Sequence, residues 1–490
     1  MAKFRVNSDR QGESYQELEL KLGYTSEGSD ETYLGLTDED FGSNPWARYP
    51  ASGSDLMQAD HSQIQLRHFW AGGSTDVTTT VYRNDFSRNW YKLQSVLGAS
   101  ISSVLAAPGD HASALGILKG ASSDPDALRV RANNRAYFGQ GIQSSLGITK
   151  GSHEFELGVR LHQDEEDRFQ WEDGFQMLQG TMDLTSAGEP GTQSNRVSSA
   201  TAVAAFLQDE IKLGRWIITP GLRLERISFE RLDYAGDDPT RVSPTRTRVN
   251  QVHAWIPGVG FSYGRPALSI FGGVHRGFGP PGPGADEATR SESSLNYELG
   301  ARWRRSGVAA QATGFVTSYD NILGQATLAT AGDGSGQAFN GGSAKVAGVE
   351  ASLDYDFAWA ARGVTRVPFR LAYTFTRASF RSGFDSDYDP WGTVEVGHRL
   401  PYLAEHQLSG SLGYDHPAWS LAISVNASGA MRTQAGSGPI PAGQGTDAYL
   451  VFNASGKVPI SGRATIFAGL QNLTNQIHSV ARRPAGLRPG

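Results

Sequence analysis

Hydrophobic and polar residues alternate with a period of two along most of this chain. Leu18, Leu20, Leu22 and Tyr24 share one face of a segment whose other face carries Glu17, Glu19 and Lys21. Leu295, Tyr297, Leu299, Ala301 and Trp303 oppose Asn296, Glu298 and Arg302 in the same way, and Phe369, Leu371, Tyr373 and Phe375 oppose Arg370, Thr374 and Thr376. Successive side chains of a strand point to opposite faces, so this period predicts β-strands. About eighteen are predicted between residues 16 and 473, beginning with 16–24 and 31–37. The links between them alternate in length. Short ones include Thr25 to Asp30, Lys150 to Ser152, Gly264 to Pro266, Arg305 to Gly307 and Asp415 to Ala418; long ones include Asp38 to Asp60, Lys92 to Val130, Glu165 to Ser198, Arg381 to Leu403 and Arg432 to Thr446.

Tight turns on one side and long loops on the other are the rhythm of a bacterial outer-membrane barrel. The apolar face then meets lipid and the charged face lines a polar lumen. Aromatic residues cluster beside the short links, as an interfacial girdle requires: Tyr24, Trp70, Trp216, Tyr263, Trp303, Phe357, Tyr414 and Trp419. A closed barrel of this kind has both ends on the short-turn side. Here the first predicted strand runs toward that side, and the last is followed by a basic stretch, Asn475 to Gly490, on the other. The pattern therefore calls for further strands before residue 16 and after residue 490. The fold class is all-β, a transmembrane antiparallel barrel, with residues 1–490 as one barrel domain.

Composition narrows the function. No run reaches the roughly 18 apolar residues of a membrane helix, which a barrel does not need. The chain has no cysteine, which removes thiolate metal sites, disulfides and cysteine nucleophiles. A net charge of −6 disfavours nucleic acid as partner. No G-x-S-x-G elbow is present, and an enzyme is not expected. The N-terminal MAKFRVNSDRQGES lacks an apolar signal core, although an exported barrel needs one.

Several segments carry a family resemblance. They include FRVNSD (Phe4 to Asp9), ETYLGLTDEDFGSNPWARYPAS (Glu31 to Ser52), TTTVYRNDFSRNWYKL (Thr78 to Leu93) and RANNRAYFGQGIQSSLG (Arg131 to Gly147). Further along come GVHRGFGPPGPG (Gly273 to Gly284), SLNYELGARW (Ser294 to Trp303), GVEASLDYDF (Gly348 to Phe357) and PWGTVEVGHRLPYLAEHQL (Pro390 to Leu408). The chain resembles the TonB-dependent outer-membrane receptors, and within them the ferric dicitrate receptor-like group. That resemblance implies a 22-stranded barrel closed by an N-terminal plug, of which this chain would supply the barrel portion, without the plug and the terminal strands. It also implies active uptake of a ferric chelate, most simply ferric citrate or a siderophore. The energy would come from TonB–ExbB–ExbD acting through the plug. A monomer in contact with outer-membrane lipid and lipopolysaccharide is expected. The chelate is cargo, and no cofactor is called for.

An anionic, carboxylate-rich chelate suits arginine, which forms bidentate charge-assisted bonds. The candidates on the long-loop side are Arg48, Arg129, Arg131, Arg135, Arg290 and Gln325. Loop arginines are also commonly solvated or bound to lipopolysaccharide phosphates. Asp385, Asp387 and Asp389 have a calcium-loop spacing, but Pro390 stands where the turn glycine belongs, so a solvated loop is expected. His153, Glu154 and Glu156 lack zinc spacing. Two other classes remain open. A passive diffusion porin would need a loop constricting its lumen, and a secreted all-β binding protein would need polar outer faces.

Overall fold

The computed structural model describes all residues except 10–11, 266, 284, 286–288, 326–337 and 358–364. Pro266 of the predicted short link and Gly284 of the Gly273–Gly284 motif lie outside the described residues. One antiparallel sheet dominates. Its barrel strands are β1 (Ala2–Asn7), β2 (Ser14–Ser29), β3 (Leu56–Gly72), β4 (Thr75–Val96), β5 (Leu128–Lys150), β6 (His153–Leu178), β7 (Ser194–Leu213), β8 (Trp216–Asp233) and β9 (Arg246–Arg265). It continues through β10 (Leu268–Gly279), β11 (Glu292–Arg305), β12 (Val308–Asn321), β13 (Ala344–Asp356), β14 (Pro368–Phe380), β15 (His406–His416), β16 (Trp419–Ser428), β17 (Tyr449–Ser461) and β18 (Ala464–Leu470). Each strand pairs with the next in chain order, which is the meander of an up-and-down barrel. Among the described residues, β1 pairs only with β2 and β18 only with β17.

The number of barrel strands agrees with expectation, but its first members do not. Residues 14–29 form a single strand, so the expected short link from Thr25 to Asp30 is strand as far as Ser29 instead of turn. Residues 31–37 are not a strand of the sheet; Leu34 and Leu36 bridge to the C-terminal segment instead. The real first strand, β1, pairs with the charged face of β2: Arg5 and Lys3 meet Glu19 at 2.9 Å. Continuous alternation from Tyr15 to Tyr24 gave no sign of where the strand ended, and the polar TSEGS tail resembles a turn. Tyr24 consequently moves to the long-loop end, where its hydroxyl donates to Asp60. The other girdle residues stay at the short turns: Trp216 lies 4.7 Å from Tyr263 with the rings tilted, and Tyr414 stacks 5.0 Å from Trp419.

Register shows where the lipid-facing band ends. Val81, Ile142, Leu161 and Val203 stand side by side on β4 to β7, all facing outward. The next outward row toward the long loops is Arg83, Gln140, Gln163 and Thr201. Arg83 bonds to Gln140 at 2.8 Å, and Gln140 to Gln163 at 3.1 Å, so this row is a polar belt. Below it an unpaired charge would face hydrocarbon; above it the wall stands in water.

The long-side loops fold into their own cores. Helices α1 (Asp38–Ser43), α2 (Ile101–Ala106) and α3 (Ala112–Leu118) gather Leu36, Tyr49, Val104 and Leu118 against the strand tips at Leu93, Val96, Leu128 and Met177. Thr37 caps α1 by accepting from the Asp40 N–H at 3.2 Å. A second core surrounds Trp391, with Ile322, Phe380 and Val394. The C-terminal segment returns to the first loop. The Leu36 N–H donates to the Leu487 carbonyl at 3.0 Å, and the Leu487 N–H donates back at 2.8 Å. Arg482 grips both oxygens of Asp38 at 2.8 and 2.6 Å.

Candidate functional site

Five residues above the polar belt, the inward faces of four neighbouring strands carry arginine at the same height. Arg88 on β4 pairs in register with Arg135 on β5, Arg135 with Arg168 on β6, and Arg168 with Arg196 on β7. Arg196 in turn faces Asp233 on β8. Two residues lower on β8, Arg231 stands opposite Arg248 of β9. Like charges directly opposite across strands destabilise a sheet. A fold that places four in a row therefore carries a standing cost that an anion would relieve.

The counter-charge is partial. Glu166 sits between two rungs, accepting from Arg135 at 2.9 Å and Arg168 at 2.7 Å. Burial works to raise its pKa, but the Arg168 and Arg135 charges outweigh burial and hold it below the usual carboxylate range. Arg168 is lowered, first by burial and then by Arg135. Arg196 is lowered too, by burial and then by Arg168 and Arg231. A guanidinium stays charged at pH 7, so the cost appears as positive potential in the lumen. Arg88 Nη1 and Arg196 Nε are buried donors without a hydrogen-bond partner among the described residues.

A cavity of about 360 Å³ opens onto this wall. Arg168, Arg196 and Arg231 line one side, and Glu166, Tyr137 and Phe86 lie beside them. The opposite side is formed by loops that cross from the other half of the barrel: Gly282, Pro283 and Ala285 from the proline-rich loop, and Gln325 with Ala338. Strand curvature alone brings these together, since Tyr137 and Gln325 are far apart in sequence.

The expected site residues separate into two groups. Arg131 and Arg135 lie on the inward face of β5, as a lumen site requires. Arg131 is held by Glu172 at 2.6 Å and reaches Gln193 at 3.2 Å, while Arg135 also donates to Asn133 at 2.9 Å. Gln325 lines the cavity. Arg129, Arg48 and Arg290 are not brought to it. Arg129 stands at the tip of β5 with Asp126 3.7 Å away; Arg48 donates to the Ala47 carbonyl at 2.7 Å; Arg290 is exposed and uses its backbone N–H on Asn340 at 3.0 Å.

Arg88, Arg168, Arg196 and Arg231 were not anticipated. Two of them fell in the expected 165–198 loop, whose ends are in fact strand. The signal was present: in DEEDRFQWED the positions Glu166, Arg168, Gln170 and Glu172 continue the period-two face of the preceding strand. The acidic run around Asp385 has exposed carboxylates, and Asp385 accepts from Thr393 at 2.9 Å, consistent with a solvated loop. His153 pairs with Asp209 at 2.7 Å near the short-turn end of the barrel, far from the ladder.

Residues 17–473 match the family described as TonB dependent receptor-like, beta-barrel. The ferric citrate transporter FecA in its unliganded form superposes with a TM-score of 0.73 at 15% identity, covering all of this chain and 67% of that one. The siderophore receptor PiuA from Acinetobacter baumannii gives 0.73 at 11% identity, with 72% of its chain covered. The ferric-catecholate import receptor Fiu from E. coli K12, in its closed form, gives 0.68 at 14% identity, again with 72% covered. At such identities these structures establish the fold.

Proposed function

Because the chain belongs to the TonB-dependent receptor β-barrel family of the bacterial outer membrane, we propose that it serves active uptake of an anionic ferric chelate, with a citrate-type polycarboxylate as ligand class. The observation that carries this reading is the ladder of Arg88, Arg135, Arg168 and Arg196. A neutral or cationic chelate would not relieve four facing guanidiniums, whereas several carboxylate oxygens would, each accepting from a fork of donors. The likeness to a ferric citrate transporter supports the same choice. In this reading residues 1–490 are the barrel domain, and coupling to TonB–ExbB–ExbD follows from the family.

Arg168, Arg196 and Arg231 contact the chelate directly, because they line the cavity. Arg135 and Arg131 set the potential around it through Glu166 and Glu172. Gln325 closes on the ligand from the loop side. Arg48, Arg129 and Arg290 draw anions toward the mouth, an effect that salt screens.

The test is uptake of radioactive iron, supplied as citrate, by cells that lack their own ferric citrate receptor and express the complete reading frame. Uptake should require TonB. The double variant Arg168→Gln, Arg196→Gln should lose affinity by about 1.5–3 kcal/mol for each charged hydrogen bond removed, at least tenfold in all. Undiminished citrate binding by that variant would move the site elsewhere. Uptake without TonB would favour a passive pore.

A further inference from the structure

Two joints of the arginine ladder are tied in different ways. Arg135 and Arg168 share Glu166, which bonds both guanidiniums across β5 and β6. Arg168 and Arg196, at the joint between β6 and β7, share no such carboxylate. Among the described residues Arg196 makes no ion pair, and its Nε has no acceptor. This joint also lies near a strand end. Pairing of β6 with β7 stops at Gln170 and Ser194, two residues above it, and pairing of β7 with β8 stops at Arg196 itself, opposite Asp233. Strand ends fray, and two facing guanidiniums push this one apart.

The opposite face of the sheet supplies what the inner face lacks. Side chains alternate along a strand, so Asp167, Phe169 and Asn195 flank the pair from outside. Arg241, in the 234–245 loop between β8 and β9, reaches all three. Its Nη1 and Nη2 each donate to one oxygen of Asp167 at 2.7 Å, and its Nε donates to Asn195 Oδ1 at 2.7 Å. Nη2 also reaches the Arg168 carbonyl at 3.3 Å, and the Phe169 ring centre lies 4.9 Å from the guanidinium carbon. Asn195 is buried, and its amide nitrogen donates to the carbonyls of Ala235 and Asp238 at 2.9 and 2.8 Å. One side chain thus carries both the loop and the guanidinium. Arg241 has a φ of +55°, a left-handed conformation that arginine rarely adopts. Asp238 holds it there: its carbonyl accepts from the Arg241 N–H at 3.3 Å and its carboxylate from the Val242 N–H at 3.0 Å. Strain of this kind persists where the surroundings over-determine it.

We propose that Arg241 is a positioning residue for the chelate, a role that rests on the ladder as the chelate site. It staples β6 to β7 from the outer face, so that Arg168 and Arg196 present one fixed spacing of donors to the ligand inside. Without the staple the pair splays to relieve its repulsion. Ligand binding must then restore the spacing, which weakens affinity. A rival account makes Arg241 one more cation that attracts anions. The two separate at Asp167. Neutralising Asp167 makes the surroundings of the ladder more positive but cuts the staple. A role through charge alone would tighten binding; a staple weakens it.

The experiment measures ferric citrate binding isotherms on the receptor expressed from its complete reading frame and purified in detergent. Heat-modifiable gel migration checks folding. Arg241→Ala should weaken binding roughly fivefold or more and Asp167→Asn about threefold, because each cuts charged hydrogen bonds to the strand ends. Val242→Ser, at an exposed neighbouring position, should bind as wild type does. Adding Arg241→Ala to the double variant Arg168→Gln, Arg196→Gln should change its affinity by less than about twofold, since nothing is left to position. Amides of residues 168–170 and 194–196 should exchange faster in Arg241→Ala. Four results would overturn the proposal. Wild-type binding or wild-type exchange in Arg241→Ala, with the double variant weakened, would do so while leaving the chelate site in place. Tighter binding by Asp167→Asn would reduce Arg241 to its charge. A full further loss in the double-variant background would make Arg241 a general support of the fold. Wild-type binding by the double variant itself would remove the chelate site from the ladder, and the positioning role with it.

Discussion

Two buried residues next to the arginine ladder show how single groups report on the loops above them. Lys92, 1% exposed, lies 3.4 Å from the centre of the Tyr33 ring, and Asp55, 4% exposed, accepts from Thr32 at 2.5 Å and from the Leu93 N–H at 2.7 Å. Burial pushes the Asp55 carboxyl up to about 6 against those hydrogen bonds. Burial, then the charges of Arg88, Arg135 and Arg131, pushes the Lys92 amine down to about 6. A raised carboxyl contributes stability that is complete below pH 3.8 and lost as pH rises through 6. A depressed amine contributes stability that is complete above pH 10.5 and lost as pH falls through 6. The docking of residues 30–55 should therefore be weakest near pH 6. Hydrogen exchange of those amides, corrected for intrinsic rates, checks this: Asp55→Asn should flatten the acid limb and Lys92→Met the alkaline one. Glu166 supports a second prediction. Glu166→Gln removes a negative charge from between Arg135 and Arg168, so chelate binding should tighten and its salt dependence steepen while thermal stability falls. Binding isotherms at two salt concentrations would reveal the opposite if Glu166 itself held the ligand.

At the scale of elements, the strands owe their identity to alternation and the loops owe theirs to burial. The period-two face continues above the membrane on β4 to β6, because Leu93, Leu128 and Met177 are covered there by α2 and α3 instead of by lipid. This is why the sequence ended β6 too early and lost Arg168 and Arg196 to a loop: DEEDRFQWED is as polar as a loop, and only pairing with β5 and β7 makes it wall. The clasp between the first loop and the C-terminal segment rests on close backbone approach at Gly35. A Cβ there would fall 2.6 Å from the Ala485 carbonyl and 2.7 Å from that of Leu487, and neither can yield as a side chain does. Gly35→Ala should release residues 478–490 to protease while leaving the barrel's heat-modifiable migration intact. Protection equal to wild type would mean the clasp is held by Arg482 and Asp38 instead.

For the whole molecule, the girdle and the polar belt bound a lipid-facing band, and that band makes a spectroscopic prediction. Trp303 is 43% exposed and faces outward beside a short turn, whereas Trp391 is 9% exposed inside a loop core. In vesicles of brominated lipid, a variant keeping only Trp303 should be strongly quenched and one keeping only Trp391 should not. Equal quenching would contradict the assigned faces. The first long loop and the C-terminal segment meet above the membrane, through Leu36 with Leu487 and Asp38 with Arg482. No local pattern announces contacts of that sequence separation; they exist because the sheet curls.

The sequence by itself determined the strand class, the inward and outward faces, the side on which the long loops lie, and the residues of the short-turn girdle apart from Tyr24. All of these follow from a period of two and from what lipid refuses to solvate, which are local properties. It also put Arg131 and Arg135 at the long-loop end of a strand, where the structure turns both inward. Tertiary structure alone decided the heights at which strands pair, and height is what turns Arg88, Arg135, Arg168 and Arg196 from four scattered positions into one ladder. It likewise decided that Gln325 reaches the cavity while Arg290 does not. Register between strands depends on contacts across the whole sheet, and alternation along one strand carries no information about it beyond which face is in.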